Sequence, residues 1–368
     1  MAKNCFTLIG KTVRSFENEL RIASLRQQGW KIGKGVVVDR GCTLECTKGE
    51  ICDDVHIGRN CIIRGEDIHI GKNSILFSGV SITVKKRFYL GERSKIGRNV
   101  TIRAYSMETG RDLWCNENFE VGGGGWQKER AVLTVGDFVL LGKGASINVC
   151  EPVTVGSCTG IGIESMIFTH SSGNGQSILD GYTHVEKAVS IGSGVSVFSR
   201  AIIAPGTIVH DGVTVGAQSF LAGEAEENCL YAGVPAQKKK KMIPVAPERQ
   251  LTLLADALEE ELGSGACRLA PQNAKAGTVY LTNLFTEKTM IALSGIVEPV
   301  IICNQQQISM KEATVFCLGK RTLSGPTSAF SELVRDALRR NGILFSFNGY
   351  QPFPLSYEVL VKLGIERE

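Results

Sequence analysis

The 368-residue chain carries 41 Lys and Arg against 37 Asp and Glu, for a formal net charge of +4. Such a balance makes no claim on nucleic acid or on a membrane surface. No apolar run reaches membrane-spanning length and no leader-like apolar segment follows Met1, so a cytoplasmic protein is expected.

Residues 12–28 read as a helix with Val13, Phe16, Leu20 and Leu25 on one face. Residues 1–30 are accordingly expected to form a helical cap on the domain that begins at residue 31.

From Ile32 the period changes to six. Ile32-Gly33, Val38 and Leu44 are followed by Ile51, Ile57-Gly58 and Ile63, then by Ile70-Gly71, Leu76 and Ile82. Leu90-Gly91, Ile96-Gly97 and Ile102 continue the step, as do Val135-Gly136, Leu141-Gly142, Ile147, Val155-Gly156, Ile161-Gly162 and Ile167. The clearest stretch runs from Ile191-Gly192 through Val197, Ile203, Val209 and Val215-Gly216 to Leu221. A helix cannot use this spacing, because six residues carry a side chain to the opposite face. A short strand and a turn in every six residues can, with each aliphatic residue inward and a small residue at the corner. Three such sides close a coil, and stacked coils pair in parallel around a narrow aliphatic core. The 42 glycines and the 7% aromatic content suit that arrangement.

Two phase breaks are expected to leave the coil as loops, and loops carry function. One spans about Ala104–Ala131, with Trp114, Trp126 and Gly122–Gly125. The other spans about Phe168–Val189, with His170 and His184. The twelve cysteines form no Cys-x-x-Cys pair and read as free, buried, small hydrophobes rather than disulfides or metal ligands.

Past the repeat come Ala232-Gly233-Val234-Pro235-Ala236, the run Lys238–Lys241, and a linker with Pro244 and Pro247. Residues 31–246 are taken as one domain and 247–368 as a small α+β domain without a recognisable motif. Its expected elements are a helix with Leu251, Leu254, Leu258 and Leu262, strands at Thr278–Leu281, Ile296–Cys303 and Thr314–Leu318, a helix Ser328–Arg340, and a strand Ile343–Phe347.

The repeat over residues 31–223 resembles the hexapeptide-repeat acyltransferases. The resemblance implies an all-β left-handed parallel β-helix and a homotrimer with the cofactor between neighbouring subunits. The stretch Ser146-Ile147-Asn148, Val155-Gly156, Ile161-Gly162, Thr169-His170 is similar to the O-acetyltransferases of sugars and surface polysaccharides. By that likeness His170 matches the catalytic histidine and Asn148 a residue that orients the carbohydrate acceptor. Ser199, in Val197-Phe198-Ser199, matches a serine near the thioester, and Ala217 a corner against the pantetheine arm of acetyl-CoA. Lys238 and Lys240 match the basic end that faces the phosphates of coenzyme A. Relatives often carry Thr-Lys-Asp where this chain reads Ala222-Gly223-Glu224, which removes one cation there.

The chemistry asks for such a histidine. A sugar hydroxyl is a poor nucleophile until a positioned base takes its proton, and imidazole titrates near working pH. His184 is the rival in the same loop. His56, His69 and His210 flank inward positions and should face solvent. A metal enzyme on this fold would need a cluster of three histidines, which the spacing denies, so no metal is expected. The alternative function is a non-catalytic β-helix scaffold whose C-terminal domain does the work.

Overall fold

A computed structural model describes residues 16–171 and 177–246, together with separate stretches between 249 and 347. Contacts divide the chain into Met1–Met242 and Ile243–Glu368. Among the described residues no helix is long and apolar enough to cross a membrane.

The first unit is a parallel β-solenoid of about ten coils. Each coil has three sides. On the first, Ile32, Ile51 and Ile70 stack in register, and further along Val135, Val155 and Ile191. On the second, Val38, Ile57, Leu76, Ile96 and Cys115 do so. On the third, Leu44, Ile63, Ile82 and Ile102 lead to Val121, Ile147 and Ile167. These inward side chains are buried in one continuous cluster, against which the partly buried Ile32 packs. Each is worth roughly 1.5–3 kcal/mol when removed from water.

Corners demand positive φ, which glycine or asparagine supplies at many of them and other residues, such as Asp54, Arg93 and Phe138, at the rest. Gly41, Asn60, Gly79 and Asn99 follow one another up a single corner, all near φ +56 to +79°. Asparagine tolerates this region through its short polar side chain.

The first coils are longer, with strands such as Thr43–Ile51, Ile62–Ile70 and Ser81–Leu90 turning a corner without interruption. This explains one correction to the sequence reading. The expected excursion at Ala104–Ala131 is much shorter, because the strand Thr101–Thr109 stays in the coil. Buried Thr109 takes an inward place that the aliphatic pattern does not show. Trp114 is therefore a strand residue, with the Lys95 ammonium 4.8 Å from its ring.

The N-terminal helix covers residues 16–27, but its inward face differs from the expected one. Ile22 and Leu25 are buried beside Trp30, while Phe16 and Leu20 are exposed. Val13 lies outside the described residues. The helix meets the first coil through polar groups as well: Asn18 Nδ2 donates to Val36 O (3.0 Å), Asn18 Oδ1 accepts from Val38 N (2.8 Å), and Arg21 Nε donates to Val38 O (2.7 Å). These bonds satisfy a sheet edge that would otherwise stand open.

At the other end, Lys238–Lys241 is not a linker. Gln237–Lys241 is a strand that pairs antiparallel with Cys229–Ala232. The second unit contains a six-stranded sheet, from Cys267–Ala270 through Thr278–Asn283, Val300–Cys303, Thr314–Cys317 and Thr322–Ser324 to Ser346–Phe347, and the helix Ala329–Arg340. Of the expected helix around residue 251, Leu258 is buried, whereas Leu251, Leu254 and Leu262 lie outside the described residues, as do Ile296 and Leu318.

Candidate active site

Both true excursions leave the same corner, between the third side and the first. One follows the strand Glu120–Gly122, the other the strand Met166–Ile167. Asn148 ends the strand Ser146–Asn148 between them. The fold thus collects two loops and one strand end at a single spot.

His170 is half-buried there, and its Nδ1 lies 2.9 Å from Asn148 Oδ1. The same oxygen accepts from Thr169 Oγ1 at 2.6 Å and from Cys150 N at 3.3 Å. An amide oxygen has no proton to give, so Nδ1 is the donor, and in the neutral ring the lone pair is then on Nε2. Asn148 Nδ2 in turn donates to Gly122 O at 3.3 Å, which fixes the orientation of the amide. Thr169 is fully buried, and its hydroxyl accepts from Glu151 N.

The loops are tied to each other by charge. Arg130 Nε lies 2.7 Å from Glu151 Oε1, and the same guanidinium contacts Glu186. His170 and Glu186 form an antiparallel bridge, and Lys187 N donates to Thr169 O at 2.9 Å. Arg130, Glu151 and Glu186 were not singled out by sequence, since nothing in their local patterns marks charges so far apart along the chain as partners. Cys150 is buried with its thiol on Gly124 O. Burial pushes that thiol up, against the pull of Asn148, so it makes a poor nucleophile.

His184 lies in the same excursion but is exposed. Ser199 is not brought to His170 within one subunit. It sits at the corner between the second and third sides, half-buried, with its carbonyl accepting from Gln218 N. Exposed Ala217 occupies the next coil of that corner. Lys238 is engaged by Glu226 at 2.6 Å. That hydrogen bond raises the Lys238 pKa and holds the Glu226 carboxyl below its ordinary value. Lys240 is exposed on the same strand, opposite Leu230. The remaining histidines pair with carboxylates one coil away: His56 with Asp39 (3.2 Å), His69 with Glu50 (3.1 Å) and His210 with Glu224 (2.6 Å). Glu224 is the residue standing where relatives often carry the Thr-Lys-Asp segment.

The three-sided coil, the repeat of six and the histidine at a loop mouth define a hexapeptide-repeat β-helix chain similar to carbohydrate O-acetyltransferases. No family model matches the sequence. The chain is 34% identical over 121 residues to an Escherichia coli (strain K12) protein named as the lipopolysaccharide biosynthesis O-acetyl transferase WbbJ, covering 30% of this chain and 62% of that relative. It is 26% identical over 190 residues to the dTDP-4-amino-4,6-dideoxy-D-glucose acyltransferase of Escherichia coli, covering 49% of this chain and 90% of the relative. Among solved structures, a hexapeptide-repeat acetyltransferase of Vibrio cholerae O1 biovar eltor, complexed with acetyl coenzyme A, is 15% identical with a TM-score of 0.28 and covers 42% of this chain and 72% of its own.

Proposed function

We propose that the chain transfers an acetyl group from acetyl-CoA to a hydroxyl of a carbohydrate, in the making of a surface polysaccharide, with His170 as general base. The observation that carries this reading is the bond from His170 Nδ1 to Asn148 Oδ1. It holds the ring in place and makes Nε2 the basic nitrogen of the neutral imidazole, as a base for a hydroxyl requires. Nε2 takes the hydroxyl proton as the oxygen attacks the thioester carbonyl. The tetrahedral intermediate then expels the thiolate of coenzyme A, and the imidazolium returns the proton to that sulfur. Acetate ester and free thiol are the products, and His170 is regenerated.

In this reading Asn148 is a positioning residue rather than an acceptor-binding one, because its amide is engaged on both sides by protein. The relatives named as sugar acyltransferases support the substrate class.

A homotrimer would reconcile the separated corners. Ser199 and Ala217 of one subunit would face the His170 loop of the next, completing a site that one chain holds only in part. Ser199 would then stabilise the developing oxyanion. The exposed apolar side chains Ile163, Met166, Phe198 and Phe220 crowd the third side and its adjoining corner, as a subunit interface would need.

The test is steady-state kinetics with acetyl-CoA and a panel of sugar acceptors. His170→Ala should lower kcat by roughly 10²–10⁴-fold, the usual worth of a positioned base, and leave acetyl-CoA binding in place. His184→Ala should cost far less. Near-normal turnover of His170→Ala, or transfer to amino sugars alone, would overturn the assignment.

A further inference from the structure

We propose that Glu50, Cys52 and His69 form a binding site for a soft divalent cation of the zinc type, on coils remote from His170.

The first observation is a break in a pattern. The corner after the first side is occupied on eight successive coils, from Gly33 to Gly192, by seven glycines and one exception, Cys52. Glycine is there for a steric reason. A Cβ built on Gly33, Gly71 or Gly91 would fall 2.6, 2.5 or 2.2 Å from a backbone atom of the next coil. Cys52 alone among the eight carries a side chain at this corner, and it is half-buried. It emerges beside His69, with Sγ 3.8 Å from Nε2.

The second observation is the convergence of ligand atoms. Glu50 and His69 are register partners on adjacent coils, and His69 Nδ1 lies 3.1 Å from Glu50 Oε2. One ligand atom from each of Glu50, Cys52 and His69 fits within a span of 4.8 Å. Zinc at about 2.3 Å from sulfur and about 2.0–2.1 Å from nitrogen in a tetrahedron separates the two by about 3.6 Å. The observed separation of Sγ and Nε2 thus needs almost no adjustment. Glu50 is half-exposed, so its carboxylate can leave His69 Nδ1 and swing onto the ion. The His69 ring is already held flat against Tyr89, with centroids 4.5 Å apart and planes 6° off parallel. The site opens into a groove of about 770 Å³ that leaves a fourth position accessible.

A thiol, an imidazole and a carboxylate within one span form a mixed S/N/O donor set. Sulfur with imidazole selects a zinc-like ion over magnesium or calcium.

The test uses the full chain, freed of any affinity tag, stripped with chelator and titrated with Co²⁺ as the probe. One equivalent should give a near-ultraviolet thiolate-to-cobalt charge-transfer band that Zn²⁺ displaces and excess Mg²⁺ does not. Cys52→Gly restores the residue usual at this corner, so it keeps the fold, and it should abolish the band. Glu50→Gln should weaken binding by about 10-fold or more. Absence of the band in the parent chain, or its survival in Cys52→Gly, would overturn the proposal.

Discussion

Asn148 and His170, on successive coils, share one hydrogen bond that fixes which imidazole nitrogen is protonated. Asn148→Ala removes the acceptor and releases the ring. It should lower kcat by roughly 10²-fold, at the lower end of what a positioned base contributes, while KM for acetyl-CoA stays unchanged. Asn148→Asp keeps an acceptor at the same place and should recover part of the loss. A raised KM for the acceptor with intact kcat would instead put Asn148 on the sugar.

The glycine corners make a stability prediction with an internal control. A Cβ on Gly91 would sit 2.2 Å from Gly110 O, whereas Gly160 has nothing within 4 Å and no positive φ. Gly91→Ala should destabilise the first unit by about 1–3 kcal/mol, as overpacking does. Gly160→Ala should be neutral or stabilising by about 0.4–1 kcal/mol, through the unfolded chain. Thermal unfolding of the two variants beside the parent settles the comparison.

The lysine strand separates two cations by their surroundings. Lys238 is paired with Glu226, whereas no carboxylate partner of Lys240 is found among the described residues. If this end faces coenzyme A phosphates, Lys240→Ala should raise KM for acetyl-CoA several-fold with kcat nearly intact. Lys238→Ala should do less. The difference should fade at high salt, since exposed charges are screened within about 8–10 Å. Equal KM values in all three proteins would remove the lysines from the cofactor site.

Light scattering of the full chain should give a trimer, and Phe198→Glu should dissociate it by placing a charge among Ile163 and Met166. Turnover should fall with the assembly if Ser199 works in a neighbour's site. A chain ending at Met242 should still fold, because contacts divide the protein there and each coil is stabilised by its neighbours. Insolubility of that shorter chain would show that the boundary is misplaced.

The solenoid was legible because one inward aliphatic residue per six leaves little room for another fold. The pattern faltered where Thr109 and then Cys115 took inward places, and the stretch Ala104–Ala131 was overextended for that reason. The N-terminal helix was found but its face was misread. Asn18 and Arg21 dock it through polar bonds, and a reading of apolar spacing cannot see those. At the candidate site, His170 and Asn148 stood out from a motif on neighbouring coils. Arg130 with Glu151 and Glu186 did not, because their meeting depends on where two loops fold back. His69 was assigned to solvent and Cys52 to the core. Only the 19-residue register that brings Glu50 beside His69 makes them neighbours.

The lysine strand has a consequence for assembly. Every other pairing between described strands of the solenoid is parallel, so an uncovered last coil would be a template on which the first coil of another molecule could continue the stack. Gln237–Lys241 runs the opposite way and has all five residues exposed, four of them lysine. An approaching edge meets reversed polarity and a row of like charge. With Asn18 and Arg21 sealing the opposite end, the coil is finite by construction. Deleting that strand would bare the edge of the last coil alone, while the helix would still close the first.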